Sequence, residues 1–349
     1  MPLFKTQCLL FILLAVTTIA SHTWIAQYEP DGSELLTDHW KYKTSKNSQI
    51  NFTSIGFNLI SNDATTITSI YQDIPTVAPG TILLLSADVK SSDVLAGEKS
   101  WNQARLLLLQ VDKKKERWDL PSVVVSLTGT HDWENYQGIF TVSHETQSIR
   151  IIAQLSQATG SLQINNIQLY PVRETQLFAI ARNIMLSAWS AFFLLLIGSC
   201  LISNKQSVFL HLLLVFAFIS IIVGTTLPGK LKNQVSDEVK THIHMQSEQI
   251  KSPMTWDLSK IWHFCSFFLF GLILCLMMTQ ERLSRMIFAI LSLAAGTELA
   301  QLYIGGRTPL IIDFFIDAAG GIFGLILILL TKIRKDHHSF ITDAARNEK

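Results

Sequence analysis

The sequence predicts an exported all-β jelly-roll or β-sandwich domain joined to an α-helical polytopic membrane domain, with five or six spanning helices in total. Three observations predict it. Only 16% of the 349 residues are charged while 48% are hydrophobic, against about 25% charged in an ordinary soluble domain. The mean hydropathy is +0.31, and the apolar residues are gathered into runs rather than spread along the chain. Between the first run and the second lies a long stretch of short, β-rich segments. The 28 Lys and Arg against 27 Asp and Glu leave a net charge of +1, so no basic field exists to attract nucleic acid. The four cysteines, Cys8, Cys200, Cys265 and Cys275, all lie in apolar runs and have the spacing of neither a zinc site nor a disulfide framework. No metal and no cofactor is expected.

A spanning helix needs about 20 mostly apolar residues, because the hydrocarbon layer is about 30 Å thick. The first run covers 8–20 behind Lys5, with Thr18-Ile19-Ala20 as a weak cleavage signal. Signal peptide and signal anchor both remain open, and either exports the polar segment after it. Later runs cover 184–202, 208–226, 261–278, 286–303 and 310–330. The connection Ser203-Asn204-Lys205-Gln206 is so short that the second and third must form an antiparallel hairpin. Counting spans from an exported 22–175 puts Lys205, Arg282, Arg285, Lys332, Arg334 and Lys335 inside, as the positive-inside rule asks. The outer loop would hold Lys230, Lys232, Lys240, Lys251 and Lys260, which runs against that rule. The expected division is 1–21 signal anchor or signal peptide, 22–175 exported sandwich, 178–227 transmembrane hairpin, 228–259 extracytoplasmic loop, 260–331 three-helix segment and 332–349 basic cytoplasmic tail.

Within the exported part, strands are expected at 50–59, 65–74, 81–89, 104–111, 123–127, 138–142, 149–155 and 161–170. Ser161-Leu162-Gln163-Ile164-Asn165 shows the period-2 alternation of a half-buried strand. Asn62-Asp63, Pro79-Gly80 and Gly160 supply turns. Trp101, Trp118, Trp133 and Tyr136 form a candidate aromatic platform for sugar faces, although Trp133 and Tyr136 suit core packing as well. Trp118 comes directly after the run Lys113-Lys114-Lys115-Glu116-Arg117, which reads first as a solvated hairpin tip.

The run Trp133-Glu134-Asn135-Tyr136-Gln137-Gly138-Ile139-Phe140, then Ile149-Arg150-Ile151, then Gly160-Ser161-Leu162-Gln163-Ile164-Asn165-Asn166-Ile167, resembles the carbohydrate-binding jelly rolls of the galactose-binding-like fold. Asn166 stands where that fold often has an acidic residue, which speaks against a structural calcium site. The resemblance implies a glycan-stacking surface, with Trp118, Trp133 and Tyr136 as its candidates.

Ionisable side chains inside spanning helices are costly and each requires a reason. Lys260 and His263 open the fourth run. Glu298 and Gln301 lie one turn apart near the end of the fifth. Arg307 sits in the turn Gly305-Gly306-Arg307-Thr308-Pro309, and Asp313 and Asp317 open the sixth on one face. All fall at one end of their helices. Gly320 and Gly324 continue below Asp317 as a small-xxx-small pair that permits close helix approach. Two carboxylates one turn apart must be paired or share a proton, so Arg307 and His263 are their expected partners. His211 reads as helix packing. His242 with His244 makes weak metal spacing, and Cys265 points away from His263.

Lys260-x-x-His263-Phe264, Glu298-x-x-Gln301, Arg307, Asp313, Asp317, Gly320 and Gly324 together resemble the VanZ-like membrane family over about 256–330. Asp317 departs from the Asn usual at that position. The resemblance implies a multi-pass protein of the cytoplasmic (inner) membrane of bacteria and a link to teicoplanin-type glycopeptide resistance. The function expected is recognition of an envelope glycan, glycolipid or lipid-linked precursor at the outer face, Arg307 and Lys260 meeting phosphate or carboxylate. The partners are then the lipid bilayer and that glycan. Whether the chain is an enzyme stays open. One alternative is a polytopic hydrolase or transferase on a lipid-linked glycan, with His263 or Glu298 as base. The other is a non-catalytic tether or sensor.

Overall fold

The computed structural model describes residues 2–75, 77–112, 115–118, 121–202, 207–226, 258–278 and 282–347, with the side chains of 2–3, 258–259 and 332–347 left out. The expected turn at 203–206, the loop 228–257 with its lysines and histidines, Lys113, Lys114, Asp119 and the tail side chains lie outside the described residues. The chain forms two compact units. Residues 27–175 are one, and residues 1–26 with 176–349 are the other.

The first unit is an all-antiparallel sandwich. One sheet runs β10 (Gly129–Thr141), β6 (Ile82–Leu95), β12 (Thr159–Glu174), β4 (Gly56–Ser61), β3 (Ser48–Phe52), with β1 (Tyr28–Pro30) also on β12. The other runs β2 (Lys41–Lys43), β5 (Ile67–Pro75), β11 (Ser148–Ser156), β7 (Ala104–Asp112), β8 (Lys115–Glu116), with β9 (Ser122–Leu127) also on β7. Alternation sets the core. In β6, Leu83, Leu85, Ala87 and Val89 are fully buried while their neighbours face outward, as the two-residue period of a strand dictates. They meet Ile70, Ala104, Leu106, Leu108, Ile151 and Leu155 of the other sheet. The run Leu106-Leu107-Leu108-Leu109 breaks that alternation, because Leu107 and Leu109 bury on the outer face with Ile152 and Tyr71.

The strand set is richer than expected. The segment 50–59 is two strands, because Thr53-Ser54-Ile55 turns the chain and the Thr53 amide donates to the Gly56 carbonyl at 2.9 Å. Gly56 has no room for a side chain, since a Cβ there would overlap the Ile164 carbonyl. β10 begins at Gly129 rather than 138. Its first half is an exposed sheet edge, where polar residues are tolerated and no apolar alternation marks the strand. β12 carries a bulge between Asn165 and Gln168, with Asn166 at φ 50°, a left-handed conformation that Asn tolerates better than most residues.

Among the described residues the second unit holds six helices: α1 (Pro2–Trp24), α2 (Gln176–Ile202), α3 (Val208–Thr226), α4 (Leu258–Met277), α5 (Leu283–Gln301) and α6 (Ile311–Asn347). Each contains a stretch long and apolar enough to cross a membrane, and this is a membrane protein. The α6 backbone stays helical through the segment expected as a tail. α1 packs with one face on the bundle. The Trp189 indole donates to the Thr18 hydroxyl at 3.0 Å, Gln7 donates to Ser199 Oγ at 2.9 Å, and Ser21 Oγ lies 2.6 Å from the Tyr303 hydroxyl. Tyr303 also stacks on Phe178 at the start of α2. The end of α1, the start of α2 and the turn after α5 therefore meet, so the chain leaves for residues 27–175 and returns from them at that end of the bundle.

Candidate functional site

α4 and α6 run parallel and nearly touch. A Cβ on Gly320 or Gly324 would strike the Phe264 or Phe268 carbonyl of α4, and one on Gly271 would strike Gly321. This bare-backbone seam is what small residues permit in lipid. At its head His263 Nδ1 lies 3.0 Å from Asp317 Oδ1 and 3.3 Å from Oδ2, with His263 6% and Asp317 0% exposed. Glu298 closes the neighbouring gap. Its Oε2 accepts the Leu310 amide at 2.9 Å, just ahead of α6, and its Oε1 accepts Gln301 Nε2 at 3.2 Å. A carboxylate there satisfies an orphan amide and opposes the positive end of the helix.

Arg307 donates from its guanidinium to the Gly224 carbonyl at the end of α3, at 3.0 Å. Gly224 in turn has no side chain because the Trp262 indole occupies that space. Burial draws the Arg307 guanidinium below its ordinary range, while the Glu298 and Asp313 carboxylates act in the opposite sense. Asp313 is half-buried, and its Oδ1 has no hydrogen-bond partner among the described residues. Lys260 is half-buried at the start of α4. Thus the structure brings His263 to Asp317 and Glu298 to Gln301 and α6, and sets Arg307 and Asp313 at the same end.

The aromatic candidates separate. Trp133, 42% exposed, and Tyr136, whose hydroxyl donates to Glu134 Oε2 at 2.7 Å, belong to β10 at the edge of one sheet. Tyr136 packs partly against the core. Trp118 and Trp101 instead flank a cleft of about 460 Å³ on the outer face of the other sheet, lined also by Ile67, Arg105, Pro121, Gln154 and Ser156. Trp101 and Trp118 are 53% and 46% exposed. The Trp118 indole donates to Glu116 Oε2 at 2.6 Å, which fixes the ring. Glu116 also pairs with Arg150, whose Nε contacts Asp73 Oδ1 at 2.5 Å and whose guanidinium lies 4.7 Å from the Tyr71 ring centre. Burial pushes the Asp73 carboxyl up, but the hydrogen bonds and charges of Arg150 and Lys41 outweigh it and hold it below the usual carboxylate range.

Arg105, Gln154 and Ser156 were not among the residues expected from the sequence. Their signal is period 2 on β11, where Arg150, Ile152, Gln154 and Ser156 alternate with the core residues Ile149, Ile151, Ala153 and Leu155. The buried polar members of that set mark a face that is covered rather than solvated. Asn166 donates to Asp88 Oδ2 at 2.7 Å, so at this bulge an amide–carboxylate contact stands where the resembling fold often has an acidic side chain. Among the described residues no cluster of three or more metal-ligating side chains occurs.

Residues 208–332 match the VanZ/LLP1 family model. No curated protein matches the chain. Among solved structures, a CBM22-1 xylan-binding domain from Paenibacillus barcinonensis Xyn10C is similar at 13% identity and a TM-score of 0.29, over 42% of this chain and 99% of that one. TmCBM61, solved with β-1,4-galactotriose, is similar at 15% identity and 0.27, over 40% and 99%. The enzymatically active domain of bacteriophage CBA120 tailspike protein 4 is similar at 13% and 0.28, and the chain spans only 19% of its length. Residues 208–332 are thus similar to the VanZ/LLP1 family, within a membrane protein whose N-terminal unit is a β-sandwich.

Proposed function

We propose that the chain is a polytopic protein of the bacterial cytoplasmic membrane that recognises an envelope glycan, glycolipid or lipid-linked precursor at the outer face. The observation that carries this is the cleft between Trp101 and Trp118. It has the makeup of a small-ligand site, mostly apolar walls with a few polar groups. Its two indoles offer flat faces to sugar rings, and Gln154 and Ser156 offer hydrogen bonds to hydroxyls. Trp133 and Tyr136 belong to the edge strand of the other sheet rather than to this cleft, and the cleft takes the stacking role. An outer-face position is supported by the chain entering and leaving 27–175 at the end of the bundle holding Arg307 and Asp313, while Arg282 and Arg285 stand at the opposite end, before and within the first turn of α5.

In the membrane unit, Arg307 and Asp313 stand at the same end of the bundle, where a polar headgroup would meet them. Lys260 joins them from α4. An apolar groove of about 300 Å³ beside Glu298, lined by Leu299, Leu302, Pro309 and Phe314, suits an acyl or prenyl chain. Recognition is favoured over turnover because His263 and Glu298, the two bases that hydrolysis would need, are already engaged in holding α4, α5 and α6 together. A role in teicoplanin-type resistance is part of the same proposal.

The test is a glycan screen on full-length protein in nanodiscs, with Trp101→Ala/Trp118→Ala alongside. Each stacked ring contributes on the order of 1 kcal/mol, so the pair should weaken binding by one to two orders of magnitude. Equal binding by the two proteins would remove the cleft from the function.

A further inference from the structure

Arg105 is the most unusual residue of the cleft. It is only 7% exposed, and among the described residues its guanidinium makes a single long hydrogen bond, to the Trp101 carbonyl at 3.5 Å. No carboxylate lies within ion-pair distance of it among the described residues. The acids nearby are already engaged, Glu116 by Trp118 and Arg150, and Asp73 by Arg150 and Lys41. Removing a guanidinium from water without a counter-charge is expensive. Burial draws the Arg105 guanidinium below its ordinary range. Elsewhere on this same face even the half-buried Arg150 is paired with acids, so Arg105 stands out against its own surroundings. Lys99 adds positive charge at the rim, its Nζ 5.2 Å from the centre of the Trp101 ring.

An arginine in that position is a preformed fork for a planar oxyanion, able to deliver two parallel N–H bonds. Resting on the glycan reading of the cleft, we propose that its ligand is an acidic glycan, one carrying a carboxylate or a phosphate on the sugar, with the anion seated on Arg105 and the rings on Trp101 and Trp118. The anion completes the charge balance that the protein leaves open, so an uncharged sugar of equal length binds less well.

The experiment measures equilibrium binding to full-length protein in nanodiscs of uncharged lipid. A carboxylate arm compares oligogalacturonate with its methyl ester, which keeps the backbone and removes the charge. A phosphate arm compares a phosphorylated maltooligosaccharide with the unphosphorylated one. The expected result is at least tenfold tighter binding of the charged member in one arm, which also identifies the anion. That ratio should fall to near one in Arg105→Gln and be partly restored in Arg105→Lys. Should Arg105→Gln not fold, added salt supplies the second measurement, because it should weaken the charged member and leave the neutral one unmoved. Binding of both members with a ratio of one, or a ratio that survives Arg105→Gln, overturns the inference and leaves the glycan reading standing. Failure of all four sugars to bind overturns both.

Discussion

His263 and Asp317 are each buried against the other, and neither position is tolerable alone. Removing one partner of such a pair leaves an uncompensated polar group in the seam and costs about 3–5 kcal/mol. We therefore expect His263→Ala and Asp317→Ala each to lower the unfolding temperature in detergent sharply. His263→Ala/Asp317→Ala should be less destabilised than the sum of those two single variants. Additive losses would mean the two side chains do not interact. The positions of His263, Glu298, Arg307, Asp313 and Asp317 at one end of their helices were legible in the sequence from spacing alone. His263 was expected as a partner of the α6 carboxylates and lies against Asp317, but the groups that Glu298 and Arg307 bind were not legible. That Glu298 ties to the Leu310 amide and Arg307 to the Gly224 carbonyl depends on backbone groups freed at helix ends, which no side-chain pattern announces. Arg105 was hidden for a different reason. A charged residue within Ala104–Asp112 reads as the solvent side of a strand, whereas here the outer face is itself covered.

Among elements, the α4–α6 seam and α1 make separate predictions. Gly324→Leu places a branched side chain against the α4 backbone and should destabilise by about 1–3 kcal/mol, read as a lowered melting temperature of the purified protein. An unchanged melting temperature would show that the two helices do not pack as closely as described. α1 could be cut off as a leader or kept as an anchor on sequence grounds, since its apolar run is short. Its packing supports retention, because Thr18 and Trp189 are 0% and 1% exposed and joined by a buried hydrogen bond. Intact mass of the protein from membranes should therefore include residues 8–20. A mass beginning near residue 21 would contradict it. The strands show the same division between what patterns reveal and conceal. Alternation exposes β6, β11 and β12, while the first half of β10 and the turn at 53–55 depend on edge position and backbone contacts.

On the scale of the whole molecule, the proposed topology puts residues 27–175 and the polar end of the bundle on the same side of the membrane. In a cysteine-free background, His144→Cys should react with a membrane-impermeant maleimide on intact spheroplasts, and Ser284→Cys only after lysis. Reversed labelling would invert the topology. Stability should also depend on acidity in a defined direction. The carboxyls of Asp73, Asp88 and Asp132 are held below their ordinary range. Burial raises Asp73, but Arg150 and Lys41 outweigh it, while Asn135 and Asn166 lower Asp88 and Lys90 lowers Asp132. A depressed carboxyl stabilises the fold above its unfolded value, about 3.9 for Asp, and that contribution is lost as the pH falls through the folded value. The unfolding temperature of the sandwich should hold steady from about pH 7 to 5 and fall below about pH 4, with Asp73→Asn flattening part of the decline. A profile unaffected by Asp73→Asn would show that its contacts with Arg150 and Lys41 contribute nothing.

The measurement that bears most directly on glycan recognition by the cleft is hydroxyl-radical footprinting of the full-length protein with and without saturating oligosaccharide. Trp101, Trp118 and Trp133 are all exposed in the free protein, so each reports on its own surroundings. Stacking in the cleft requires that ligand protect Trp101 and Trp118 together and leave Trp133 oxidised at its original rate. Protection of Trp133, or of none of the three by a ligand that demonstrably binds, would contradict it.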